Sequence, residues 1–179
     1  RSVSRGLGDV YKRQVIIQTP YVICNGYMYD VLQGISDHAK LQIVLNAVEK
    51  GSNPWGCTDY LNQKKKILET GADVYELMND YPVHTKAVLI NDRLSVVGSY
   101  NLDMRSTYLD TELMLVIDSE KLSQQIHETE SDYMEKSKEV LANGQETEGA
   151  KYQGKALNRK KKLYYGVLRI VIRPLRQLL

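Results

Sequence analysis

Apolar residues recur along this chain in short runs of period two, separated by segments where they recur every three or four positions. That alternation predicts strands interleaved with helices, an α/β fold class. Residues 15–19, Val-Ile-Ile-Gln-Thr, read as a buried strand closed by Pro20. The spacing of Met28, Val31, Leu32 and Ile35 predicts a helix over 28–39, and 41–46 returns to a strand. Asn53-Pro54-Trp55-Gly56 reads as a turn, after which Thr58 or Asp59 starts a helix that Gly71 ends. Further strands are predicted at 73–78, 83–90, 94–97 and 111–117. Ser119 reads as the N-cap of a helix over 120–141, with a sparse stripe of Leu122, Ile126, Tyr133, Met134 and Leu141. The Gly-, Gln-, Glu- and Thr-rich stretch 143–156 reads as a linker between a domain over 15–142 and a terminal helix over 157–179.

That last segment has its own pattern. Apolar residues at 164, 167, 168, 171, 175 and 178 fall on one helical face, while Arg169, Arg173 and Arg176 fall on another and Arg159 to Lys162 precede them. The expectation is a basic amphipathic helix lying in a membrane interface, kinked at Pro174 and too charged to span a bilayer. The rival expectation is a helix docked on a missing N-terminal half of the protein.

Charge sharpens the contrast. The formal net charge of +2 hides an asymmetry: residues 15–158 hold 13 Lys and Arg against 21 Asp and Glu, whereas residues 159–179 hold seven basic residues and no acid. An acidic body argues against a nucleic-acid partner, and a basic end argues for an anionic surface. Cys24 and Cys57 have no metal-ligand spacing, and neither metal nor cofactor is expected.

The candidate chemistry lies in residues 83–106, VHTKAVLINDRLSVVGSYNLDMRS. A strand over 83–90 puts His84 and Lys86 on one face. A second strand ends in Gly98-Ser99-Tyr100-Asn101, a small-residue turn that lets backbone approach a ligand. An imidazole able to act as nucleophile or acid, together with a lysine and the donors of Ser99 and Asn101, suits a phosphoryl group.

With H-x-K followed after eleven residues by G-S-x-N, this stretch resembles the phospholipase D superfamily, and Asn101-Leu102-Asp103-Met104-Arg105-Ser106 is most similar to its cardiolipin synthase branch. Ile17-Gln18-Thr19-Pro20-Tyr21 is similar to the strand before the second of the two motifs in those enzymes. One position departs from the pattern: the family's Asp falls on Asn91, with Asp92 next, so its role falls to Asp92, to the amide, or to neither. The family's later Glu corresponds to Glu112.

The resemblance implies a layered α/β/α domain with a mixed sheet and a metal-free, cofactor-free transfer through a phosphohistidine. It makes His84 the general acid that later acts as base, oriented by Glu112, while the other motif's His attacks phosphorus. Lys86 and Asn101 would hold phosphoryl oxygens, Gly98 would let substrate approach, and Ser99 would support the site. The function expected is phosphatidyl transfer of the cardiolipin synthase kind on an anionic phospholipid, with hydrolysis left open. Two rivals stand beside it: a single-motif nuclease acting as a homodimer, and a catalytically silent membrane-binding module. Residues 4–14, SRGLGDVYKRQ, resemble the translation of a sequencing adapter, so residues 1–14 are expected to be non-native. The rest is expected to be the C-terminal half of a longer protein whose N-terminal half carries the first motif. Its expected place is peripheral on the cytoplasmic face of a membrane, with room for a transmembrane segment in that other half.

Overall fold

The computed structural model describes residues 13–154 and 157–178; most of the adapter-like segment, residues 1–12, lies outside the described residues. In chain order the elements are β1 (Gln14–Gln18), β2 (Val22–Ile23), α1 (Gly26–Ser36), β3 (Lys40–Asn46), α2 (Pro54–Glu69), β4 (Asp73–Leu77), β5 (Ala87–Ile90), β6 (Leu94–Gly98), β7 (Leu102–Asp103), α3 (Met104–Tyr108), β8 (Met114–Asp118), α4 (Glu120–Glu135), β9 (Ser137–Val140), β10 (Glu146–Glu148) and α5 (Arg159–Val171), followed by a 3-10 turn (Arg173–Leu178). Eight strands form one mixed sheet in the order β10-β9-β4-β3-β1-β5-β6-β8, and β2 pairs with β7 in a small parallel ribbon.

The three inner strands β1, β3 and β4 run parallel and are buried on both faces, which is why they read as near-continuous apolar runs. Val15 and Ile17 point to one side, where Met28 and Leu32 of α1 and Tyr60 and Ile67 of α2 complete the main core. Ile16 points to the other, where it meets Val44, Tyr75 and Leu89 under Ile126, Tyr133 and Met134 of α4. Two helical layers around a mixed sheet are the architecture expected from the sequence.

Four expectations are corrected. α2 starts at Pro54, not at Thr58 or Asp59. Asn53 caps it by accepting from the Trp55 and Gly56 amides, and Pro54 occupies the first helical position, where its missing N–H costs nothing. The helix from Ser119 stops at Glu135, because Ser137 to Val140 pair antiparallel with β4. The stretch expected as a linker contributes β10, which returns along β9 through Asn143 and Gly144 (φ +83°), a turn signal that makes a hairpin here. An ion network fastens this hairpin: Glu76 accepts from Tyr60 and Lys64 at 2.8 Å and meets Lys138 at 3.0 Å. Burial opposes ionisation of Glu76, but Lys64, Tyr60 and Lys138 outweigh it and hold its pKa below the ordinary value.

The fourth correction concerns the extent of the C-terminal helix, which gives way to a 3-10 turn at Arg173 where a helix over 157–179 was expected, and which docks on its own domain. Tyr165 and Leu168 of α5 and the following Ile172 are buried, and α5 lies on α2. Arg169 donates to the Asn62 side chain at 2.8 Å, and Arg176 donates to the buried Asp59 carboxylate at 2.7 Å and to the Cys24 carbonyl. The expected stripe therefore divides: Leu168 is in the dock, while Tyr164, Val167 and Val171 remain exposed.

Candidate active site

Strand β5 begins at Ala87, so His84 and Lys86 lie in the extended lead-in to the ladder and not inside a regular strand. The lead-in is held from two sides. Gly98 N–H donates to the Lys86 carbonyl at 3.3 Å, and the side chain of Asn46, at the end of β3, pairs with both backbone groups of Val83 at 2.8 Å. Asn46 also donates to the Pro20 carbonyl at 3.1 Å. This buried amide does for residue 83 what a neighbouring strand would do. Sequence reasoning had treated Asn46 only as the end of a strand. The available signal was a polar residue at the end of an otherwise apolar buried run.

His84 and Lys86 do share a face. Lys86 Nζ sits 2.7 Å from His84 Nδ1 and donates to the His84 carbonyl at 2.9 Å. An ammonium has no lone pair, so the contacted Nδ1 is the acceptor of a neutral imidazole and the ring proton is on Nε2. His84 is exposed and Lys86 half-buried. Partial burial, and after it the charge of Lys86, lowers the His84 pKa below its ordinary value. Burial likewise lowers that of Lys86, with Glu112 and Asp103 acting in the opposite sense.

The resemblance implies that Glu112 orients the imidazole. In the structure its carboxylate accepts from the Ser99 hydroxyl instead, and the shift of His84 is downward. Ser99 is fully engaged, since its Oγ also accepts from Leu113 N–H at 3.0 Å while its own N–H bonds the Leu113 carbonyl at 3.0 Å. Gly98 is required by crowding: a Cβ there would collide with the Leu113 carbonyl and the Met114 Cα on the neighbouring strand segment. Strand pairing with β8 explains that glycine without any ligand.

Asn101 is braced by Ser106, whose Oγ lies 3.3 Å from both its backbone N and its Nδ2, while Oδ1 is buried without a partner. Turning the amide by half a revolution lets the Ser106 hydroxyl donate to Oδ1 and puts Nδ2 in the same buried, unpartnered place, so either orientation leaves one polar atom of the amide without a partner. Thr19 secures the same turn from below, its Oγ1 accepting from Leu102 N–H at 3.2 Å. Asp103 then caps α3, accepting from Ser106 N–H at 2.6 Å.

Asn91 is elsewhere. It occupies the β5–β6 turn with φ +53°, the left-handed region that asparagine tolerates best among residues with a side chain. Its Oδ1 accepts from Gln14 N–H at 3.0 Å, and its own N–H donates to the Gln14 carbonyl at 2.9 Å. Asp92, also at this turn, lies 3.8 Å from His127. Five residue steps of extended chain separate Asn91 from Lys86, roughly 16 Å. The structure thus brings together His84 with Lys86 and Ser99 with Glu112, and leaves Asn91 and Asp92 at the opposite end of the hairpin. Among the described residues, no group of His, Cys, Asp and Glu is placed to hold a metal ion.

Comparison with known proteins agrees with this architecture. The family model described as "Cardiolipin synthase, PLD-like domain" matches residues 11–132. Cardiolipin synthase A of Proteus mirabilis is 30% identical over 134 residues, covering 72% of this chain and 26% of that protein. Its counterpart in Serratia proteamaculans is 30% identical over 131 residues, with 70% and 26% covered. This chain therefore spans about a quarter of the length of these relatives. Among solved structures, phosphatidylserine synthase of Haemophilus influenzae superposes with a TM-score of 0.66 at 16% identity, covering 94% of this chain and 42% of that one. Nuc of Salmonella typhimurium, a phospholipase D family member, superposes with a TM-score of 0.59 at 16% identity, covering 73% and 84%. Motif, sheet and match over most of the chain converge: this chain belongs to the cardiolipin synthase family of phospholipase D-like domains.

Proposed function

We propose that the chain is one half of a phosphatidyltransferase of the cardiolipin synthase kind, in which His84 serves as general acid and then general base on a phospholipid phosphodiester. The observation that carries the reading is a single imidazole held beside Lys86 on an open surface, its Nδ1 2.7 Å from the ammonium. Proton donation to a leaving alcohol asks for a ring that gains and loses a proton near neutrality, and a pKa lowered by burial and by Lys86 favours loss. Lys86 would meet a phosphoryl oxygen, Asn101 would hold the turn beside it through Ser106, and the Ser99–Glu112 pair would keep that turn in place.

Phosphoryl transfer through a covalent histidine needs a second imidazole, one to attack phosphorus and one to manage the leaving group's proton. His38 and His127 do not stand with His84, as His38 bonds the Gly34 carbonyl of α1 and His127 faces Asp92. A second half carrying the attacking His would therefore complete the site. The edge strand β8 offers a seat for it beside the Ser99–Glu112 pair, with Leu113, Leu115 and Val116 exposed and Tyr108 and Leu109 nearby. The relatives named above are about four times the length that this chain matches, which supports a further segment in the working protein.

The test is turnover of a phosphatidylglycerol substrate by the monodisperse chain and by the protein completed with its N-terminal half. The chain alone should be silent and the completed protein active, with transfer separated from hydrolysis by supplying or withholding an acceptor alcohol. Robust turnover by a monomeric chain would sink the reading, and turnover that tracks dimerisation would replace the second half by a second copy.

A further inference from the structure

The C-terminal helix has two apolar faces, and only one is used by the fold. Tyr165, Leu168 and Ile172 face the domain, whereas Leu163, Val167, Ile170 and Val171 follow one another at steps of four, three and one residues along the opposite side and are exposed. An exposed leucine is ordinary, but a ridge over two turns of one helix is not. The charge beside it has a single sign. Arg159, Lys160, Lys161, Lys162 and Arg173 enter no ion pair among the described residues, and residues 159–179 contain no acid. The remaining basic side chains of the segment are committed to the dock, Arg169 to Asn62 and Arg176 to Asp59.

We infer that the outward ridge of α5 docks the folded domain onto an anionic bilayer surface, with Leu163, Val167 and Ile170 entering the headgroup boundary and the lysine cluster among the headgroups. Charge complementarity selects this occupant. The body carries an excess of eight acidic over basic residues across 15–158, so an anionic sheet repels it while attracting α5, and the molecule is oriented as well as bound. A polyanion without an apolar phase would satisfy the lysines and leave the ridge in water. The orientation favours the catalytic end. Tyr165 bonds the Val48 carbonyl, just past the end of β3 where Asn46 splints the His84 segment, and Leu175 borders a groove of about 310 Å³ shared with Asp103, two residues beyond Asn101. The dock thus joins the C-terminal segment to the strand ends near the motif turn, and no helix among the described residues is long and apolar enough to cross the membrane itself.

The inference stands apart from catalysis, because it is read as binding by the whole 179-residue chain, which is expected to have no turnover on its own. Co-sedimentation is measured with vesicles of phosphatidylcholine alone and of phosphatidylcholine mixed with phosphatidylglycerol. Binding should require the anionic lipid and weaken as salt rises. Val167→Asp with Ile170→Asp should weaken it at least about tenfold even at low salt, and Lys160→Gln, Lys161→Gln and Lys162→Gln together should weaken it about as much and flatten the salt dependence. Both sets sit on exposed positions, and an unchanged thermal unfolding curve checks that the dock survives. Equal binding to neutral and anionic vesicles, or none to either, overturns the inference. So does normal vesicle binding by the ridge variant, whether the ridge then proves to hold a second copy, seen as a dimer it converts to monomer, or the lysines alone bind any polyanion, seen as competition by double-stranded DNA.

Discussion

At one end of the β5–β6 hairpin, His84 and Lys86 reach the surface with their side chains turned on each other, and Ser99 and Glu112 close the neighbouring turn. At the other end, Asn91 turns the chain at φ +53° and binds both backbone groups of Gln14, which fixes the start of β1 against the hairpin. Both ends belong to one sequence motif, yet the proposed chemistry sits at one and the hairpin's register is held at the other. A motif is thus a mixture of residues that meet the substrate and residues that make the hairpin which presents them. The departure at residue 91 falls on the second kind.

The largest effect expected from this contrast is at the catalytic end. His84→Ala in the completed protein should reduce turnover to background, a loss of more than about a thousandfold, or roughly 4 kcal/mol of barrier. Lys86→Met should also lower the rate, and it should move the pH limb assigned to His84. Because burial is the leading cause of the lowered His84 pKa and Lys86 the second, the limb should rise by only part of the displacement. In the proposed role of general acid His84 acts while protonated, so the rate of the step it serves should fall as pH rises through that limb.

A loss of rate at high pH has a second source that must be separated from this one. Glu130 on α4 is buried with Oε2 unpartnered, and burial raises its pKa from 4.5 to about 8. In the unfolded chain the same carboxyl loses its proton near its ordinary pKa, so between that pH and about 8 the unfolded state gives up a proton that the native state keeps. Stability contributed at low pH is therefore lost progressively over that window, on the order of 5 kcal/mol. Glu130→Gln should flatten the pH dependence of denaturant midpoints across it while leaving the His84 limb in place. If the rate limb moves with Glu130→Gln, the limb reports unfolding and says nothing about His84.

Much of this was visible in the sequence, for reasons that can be named. The strands and the motif are short-range patterns: period-two runs such as 15–18, and an H-x-K to G-S-x-N spacing that survives because both halves lie on one hairpin. What escaped notice depends on partners far away in sequence. Residues 137–140 form a strand only because β4 offers an edge, and the polar hairpin 141–148 is held through Glu76. The apolar stripe of α5 could not be divided into docked and free faces until α2 was beside it, and Glu112 could not be assigned to Ser99 over His84 without the β6–β8 pairing. Asn46 was illegible for the same reason, since its two partners on Val83 are 37 residues away.

Asn46 tests whether the catalytic end depends on remote support as the turn end does on Gln14. Asn46→Ala leaves the Val83 N–H and carbonyl without their partners, at a cost of about 2 kcal/mol in stability. The lead-in to β5 should then hold His84 less firmly. The expected outcome is a fall in kcat of about thirtyfold with KM and the position of the His84 pH limb nearly unchanged, which marks a positioning residue. An unchanged kcat in a folded Asn46→Ala protein would mean that the ladder from Gly98 suffices to hold the segment.

The smallest effect should come from Asn91→Asp, which restores the family's residue at the far end of the hairpin. The new carboxylate can accept from Gln14 N–H as the amide oxygen does, and aspartate shares with asparagine a tolerance for the left-handed region. Its charge is added roughly 16 Å from Lys86 along the strand, beyond a Debye length at physiological salt and next to the exposed Asp92. Turnover of the completed protein should therefore change by less than about tenfold, under about 1.4 kcal/mol of barrier. Asn91→Ala should cost more in stability than Asn91→Asp, since it loses the bond to Gln14 and keeps the positive φ. If Asn91→Asp instead raised turnover by orders of magnitude, the two ends of the hairpin would be coupled in catalysis, and the silent membrane-binding reading would account better for the natural asparagine.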